Sequence, residues 1–158
     1  MSAASNYLEL EVLDHVLGEG GRTFTSPASI FVALFTGTAG TVLTALESGT
    51  YSTTGTGNWG YYEVTPTATS YTRQGVNFAA ASGGSAASNS VVTFDVAGAN
   101  YDSTTGSLGA TVTCLAIVDN ASAGAGNVLF FGQLTTAKTV SSGDQFTISS
   151  GNLTVSLA

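Results

Sequence analysis

Ser29-Ile-Phe-Val-Ala-Leu-Phe-Thr36 is the stretch that decides the fold. Its centre is unbroken apolar sequence rich in β-branched and aromatic residues, so Ile30, Val32 and Leu34 face one way while Phe31, Ala33 and Phe35 face the other. A strand that is apolar on both faces is a central strand covered on both sides. One cover is expected to be an N-terminal helix or a neighbouring subunit.

Working outward, the same grammar of short β-branched or aromatic runs punctuated by Gly, Asn, Asp and Ser recurs down the chain. It predicts further strands at Tyr71–Ala79, Ser90–Val96, Ala110–Asp119, Val128–Thr135, Gln145–Ser149 and Asn152–Ala158. In the last, Leu153, Val155 and Leu157 oppose Thr154 and Ser156, one buried face against one wet face. With no helices between strands, a βαβ arrangement fails. The expected fold is mainly β, an antiparallel β-sandwich of jelly-roll type with one N-terminal amphipathic helix, in a single domain over residues 1–158.

That helix is predicted over Ser5–Leu17. Leu8, Val12 and Val16 recur every fourth residue, with Leu10, Leu13 and Leu17 widening the stripe. Ser5 or Asn6 can cap its start, and Gly18, opening the glycine-rich turn Gly18–Gly21, suits the left-handed position that ends a helix. The segment Gly37–Ser70 reads as a long insertion of low-complexity Ser, Thr and Gly, with a hairpin expected around Trp59–Val64.

Composition bounds the function. Only 8 % of the 158 residues are charged, where a soluble domain averages about 25 %. A surface built from Ser, Thr, Gly and Ala instead of charge implies contact with other protein. Ten acidic residues against three cations, Arg22, Arg73 and Lys138, leave no basic patch for nucleic acid. No apolar run approaches the roughly 20 residues that span a bilayer, and no signal-peptide layout is visible, so the expectation is a chain made in a cytosol that stays soluble, without membrane contact.

Catalytic groups are scarce. His15, the single histidine, lies on the polar side of the predicted helix with Glu11 and Asp14. Cys114 alternates with Val112, Ala116 and Val118 and is expected in the core as an inert small hydrophobe. Asp95, Asp102, Asp119 and Asp144 end strands or sit in turns, where Asp bonds nearby amides; a Ca²⁺ site among three of them lacks the spacing of a calcium loop. No catalytic residue, metal or cofactor is expected. Arg22 and Arg73 are expected to pair with carboxylates, Arg73 across a subunit interface or in a surface pair. Trp59, Tyr61 and Tyr62 form the one aromatic cluster, readable as core, as a subunit interface or as a sugar-stacking site. The candidate interface residues are therefore Leu8, Val12, Leu13, Val16, Trp59, Tyr61, Tyr62 and Arg73.

The order of segments resembles a family of short tailed-phage proteins labelled tail fibre or head decoration proteins. The matching pieces are Asn6-Tyr-Leu-Glu-Leu-Glu-Val-Leu-Asp-His-Val-Leu-Gly18, the strand Ser29–Thr36 and Tyr71-Thr-Arg-Gln-Gly-Val-Asn-Phe78. They continue through Leu115-Ala-Ile-Val-Asp119, Leu129-Phe-Phe-Gly-Gln-Leu-Thr135, Lys138-Thr-Val140, Gly143-Asp144 and Leu153-Thr-Val-Ser-Leu157. Gly37–Ser70 departs from the pattern by its length. The resemblance implies a virion structural role without catalysis, on head or tail. The leading expectation is a capsid decoration, or cement, protein: a homotrimer that binds the major capsid protein and stabilises the shell. The alternatives are a tail fibre or tail-tip protein bound to other tail proteins, and a carbohydrate- or receptor-binding module using Trp59–Tyr62.

Overall fold

The computed structural model describes residues 3–18, 24–48, 50–103, 106 and 108–157. Along the chain come β1 (Ala3–Ala4), α1 (Asn6–Leu17), β2 (Ile30–Thr36), α2 (Ala39–Ser48), a 3-10 turn (Trp59–Tyr61), β3 (Gln74–Val76), β4 (Ser85–Ala87), β5 (Val92–Thr93), β6 (Thr111–Val118), β7 (Val128–Thr139), β8 (Thr147–Ile148) and β9 (Thr154–Ser156).

The chain is mainly β and antiparallel, as the strand grammar predicts. A five-stranded sheet in the order β1-β7-β6-β2-β3 forms the main layer, and β2 lies inside it between β6 and β3. Two apolar cores flank this sheet. Val32 and Leu34 point into one with Ile117, Leu129, Tyr71 and Phe94; Ala33 and Phe35 point into the other with Cys114, Ala116, Val118 and Phe131. Both faces of the deciding strand are covered.

The sandwich is uneven. Its second layer consists of two short ribbons, β4–β9 and β5–β8, which are pieces of one interrupted pairing. Between them Ser88 N–H donates to the Leu153 carbonyl at 2.8 Å, and beyond β5 the pairing continues with Phe94 N–H donating to the Phe146 carbonyl at 3.0 Å. Strand β3 leads from the main sheet into this layer, where Asn89 N–H donates to Asn77 and Ala79 N–H to Ala87.

The cover on the other face is a helix that the sequence reading placed in a loop. Val42, Ala45 and Leu46 of α2 are fully buried, and their spacing of three and four puts them on one stripe. The small side chains Ala33, Cys114 and Ala116 beneath let the helix come close: the Cys114 Sγ lies 3.8 Å from the Ala39 carbonyl. The hairpin expected around Trp59–Val64 is not formed. After the 3-10 turn the chain instead pairs with the end of β2, Thr36 N–H donating to Tyr62 and Val64 N–H to Leu34. Satisfying the backbone of β2 beyond the reach of β3 outweighs a local hairpin.

Register breaks correct one further expectation. The pairing shifts between Val112 and Cys114, so these two residues, though two apart, enter opposite cores. Of the turn expected at Gly18–Gly21, residues 19–21 lie outside the described residues, as does Arg22 with its expected ion pair.

Candidate functional site

Helix α1 is fixed to the sheet at its N-terminus. Ser5, in extended backbone, accepts a 3.3 Å bond from Leu8 N–H, its hydroxyl donates to the Val128 carbonyl, and its own N–H donates 2.9 Å to Leu129. Gly18 ends the helix at φ +70°, the left-handed cap. Clamped this way, the helix turns Leu8 and the half-buried Val12 inward to the ribbon-side core. Leu10, Leu13, Val16 and Leu17 point outward, 57 %, 54 %, 71 % and 68 % exposed. The predicted interface stripe is thus divided: Leu8 and Val12 hold the helix down, while Leu13 and Val16 face out with Leu10 and Leu17. His15 is exposed. A groove of about 450 Å³ runs beside the helix, lined by Ala3, Ala4, Leu8, Val12, Leu13 and Leu157 among others.

The aromatic cluster faces inward. Trp59 and Tyr62 are buried and Tyr61 half-buried. The Trp59 ring packs edge-on against Phe35 at 6.4 Å and Tyr51 at 4.9 Å, and Tyr62 donates its hydroxyl to the Thr56 carbonyl at 3.0 Å. A sugar has no open face of Trp59 or Tyr62 to stack on.

Beneath Trp59 lies a group that sequence reasoning did not assemble. Arg73 and Glu63 form a buried fork-to-fork pair, Nε to Oε1 at 2.7 Å and Nη2 to Oε2 at 2.9 Å. Arg73 Nη1 donates at 2.9 Å to both the Asn120 and Ala125 carbonyls, and its guanidinium carbon sits 5.5 Å from the Trp59 ring centroid. The fork left open for a second subunit or a surface partner is occupied within this chain. Tyr71 completes the group, donating to Glu63 at 3.2 Å and accepting from Leu34 N–H at 3.1 Å. Arg73 therefore ties the turn 119–127 to β2 and to the 3-10 segment. In that turn Gly126 has φ +81°, and a Cβ there would strike the Asp119 carboxylate, so the loop under the guanidinium requires glycine.

Burial opposes the charge of Arg73, but hydrogen bonding and charge pairing with Glu63 outweigh it and hold the guanidinium pKa above its ordinary value. Burial raises the phenols of Tyr51, Tyr62 and Tyr101, and raises Tyr71 furthest, with the Glu63 charge adding to it. Because the folded phenols hold their protons more tightly than the unfolded ones, this stability is complete below the ordinary tyrosine value of 10 and is lost as pH rises through the raised values. Tyrosinate absorbance and loss of β circular dichroism are expected to rise together above about pH 10. Tyrosines ionising near that value in a protein that stays folded would contradict the burial.

The remaining polar chemistry is local. Asp102 accepts from Ser103 and Leu108 N–H, Asp119 from the Asn127 backbone and side chain, and Asp144 from Ser141 N–H. Among the described residues no three of His, Cys, Asp and Glu gather as a metal site would require. Cys114 is fully buried, and burial raises its thiol pKa although Thr113 opposes this. Cys114→Ser is expected to cost about 1–2 kcal/mol in chemical denaturation, the cost of a hydroxyl at a buried apolar site. A larger loss, or a folded variant that no longer attaches to particles, would contradict an inert role.

The fold and its surfaces define a class: a β structural protein whose strong polar groups hold its own loops together and whose outward resource is an apolar helix face. Residues 3–156 match the model of the family described as Podophage GP4 fiber I protein gp80, and the chain belongs to that family. It is a phage virion structural protein. Among curated proteins, none matches the chain.

Proposed function

We propose that the chain is a fibre-type structural component of the tail of a short-tailed phage, acting through protein contacts and without catalysis. The observation that carries this is the family match, which spans nearly the whole chain and bears a fibre description. The outward face of α1 supplies the attachment surface, since four large apolar side chains that leave water together favour association by roughly 25 cal/mol for each Å² buried. On this reading the partners are tail proteins, and the cement role on the capsid shell has no observation of its own that favours it. Trimer formation remains part of the proposal, with its contact away from α1. Among the described residues β8 and β9 each have a strand neighbour on one side only, and such edges pair readily with another chain.

Quantitative mass spectrometry of purified particles tests the placement. A tail component is expected at a small fraction of the copy number of the major capsid protein. Stoichiometry comparable to that of the shell would return the protein to the head.

A further inference from the structure

Strand β7 and the return segment 144–157 are joined by the tight turn Ser141–Asp144, yet they do not pair with each other. β7 belongs to the main sheet and the return segment to the ribbon layer, so the sandwich stays open between them. A cleft of about 640 Å³ occupies this seam, and one of about 190 Å³ continues it toward β9. Leu115, Leu134 and Ile148 line it half-buried, beside Phe146 and Leu153 of the ribbon-side core.

Among the described residues both rims carry backbone with no strand beside it. Phe94 N–H donates to Phe146 and Ser88 N–H to Leu153, so the alternation of an antiparallel ladder turns the N–H and C=O groups of Thr147 and Thr154 outward. On β7, β1 reaches only to Phe131. Val140 N–H donates to Ala110, so Thr139, one residue before it and opposite Thr111, also faces outward.

The rims differ in charge. Lys138, the single lysine of the chain, is exposed on β7 and makes no ion pair among the described residues. Asp144, on the other rim, accepts Ser141 N–H through Oδ2 and leaves Oδ1 without a partner. Both line the turn end of the same cleft, so rotation of copies about an axis along the strands keeps the two charges level.

We propose that this seam docks a second copy of the chain, the β7 rim of one copy lying against the 144–157 rim of the next, with Lys138 meeting Asp144 of that copy. The inference rests on the trimer proposed above and assigns its contact face. In a ring the seams turn toward a common axis, where Leu115, Leu134 and Ile148 leave water and the outward backbone groups gain partners.

Carbodiimide cross-linking tests the contact, because Lys138 is the one side-chain amine. Unlabelled and heavy-isotope-labelled full chains, refolded together and cross-linked, are expected to yield Lys138–Asp144 peptides with one light and one heavy half. Thr147→Pro removes an outward N–H and leaves the ladder to β5 intact, so circular dichroism should be unchanged while association by sedimentation weakens about tenfold. Lys138→Glu should weaken it about tenfold at low salt and less at high salt, and adding Asp144→Lys should recover most of that loss. Cross-links confined to single copies, or association untouched by both Thr147→Pro and Lys138→Glu, overturns the proposal. So does a Lys138 that couples in purified particles only to another protein. A trimer that survives both variants keeps the oligomer and removes this face from it, whereas a dimer joined by the Lys138–Asp144 cross-link keeps the face and overturns the trimer.

Discussion

Replacing Arg73 with Met is expected to lower stability by about 3–5 kcal/mol and the melting temperature by roughly 10 °C. The variant leaves the Glu63 carboxylate buried without its cation and deprives the carbonyls of Asn120 and Ala125 of their donor. Most of that loss is the cost of the stranded charge and not the worth of the pair. The double variant Glu63→Leu/Arg73→Met should therefore be more stable than Arg73→Met alone. Chemical denaturation of the three proteins decides the matter. A double variant at or below the single one would mean that the pair itself, and not the avoided stranding, sustains the fold.

Trp59→Ala is expected to cost about 3–5 kcal/mol, the usual range for emptying a large aromatic site in a core. The ring fills the space between Phe35, Tyr51 and the guanidinium of Arg73, so its removal also opens the ion pair to water. Because the two sites touch, Trp59→Ala and Arg73→Met should not add. Their combined loss is expected to fall short of the sum by more than about 0.5 kcal/mol in a double-mutant cycle. Strict additivity, or a Trp59→Ala protein of native stability, would show that the aromatic cluster is not part of the core.

These two sites mark where the sequence stops being legible. Periodicity reveals α1, β2, β6 and β7 because each has a long apolar pattern, although β6 breaks its period between Val112 and Cys114 and β7 runs on to Thr139, past the expected Thr135. It reveals the ribbons only in outline, since the irregular stretches between β4 and β5 and between β8 and β9 break the alternation without ending the pairing. Helix α2 was readable in principle from Val42, Ala45 and Leu46. Gly40, Thr41 and Thr44 gave that segment a loop-like composition, and it is the sheet face of Ala33, Cys114 and Ala116 that makes it a helix. The Glu63–Arg73 pair was less legible still. Its members lie on either side of the turn at 65–70, and the other partners of Arg73, Asn120 and Ala125, come from 47 and 52 residues further along the chain. One signal was available: a lone acid between Tyr62 and Val64 and a lone base two residues from Tyr71, in a chain with so few charges, point to burial together. For α1 the periodicity gave the stripe but not its division, which depends on the tilt that Ser5 fixes against Val128 and Leu129.

The central claim, a fibre-type tail component held by the outer face of α1, is tested most directly by cryo-electron microscopy of intact particles with the tail region reconstructed separately. The expected result is density for this uneven sandwich on the tail, with Leu10, Leu13 and Leu17 packed against a neighbouring protein. Density for the sandwich on the capsid shell, or on the tail with α1 turned to solvent, would contradict it.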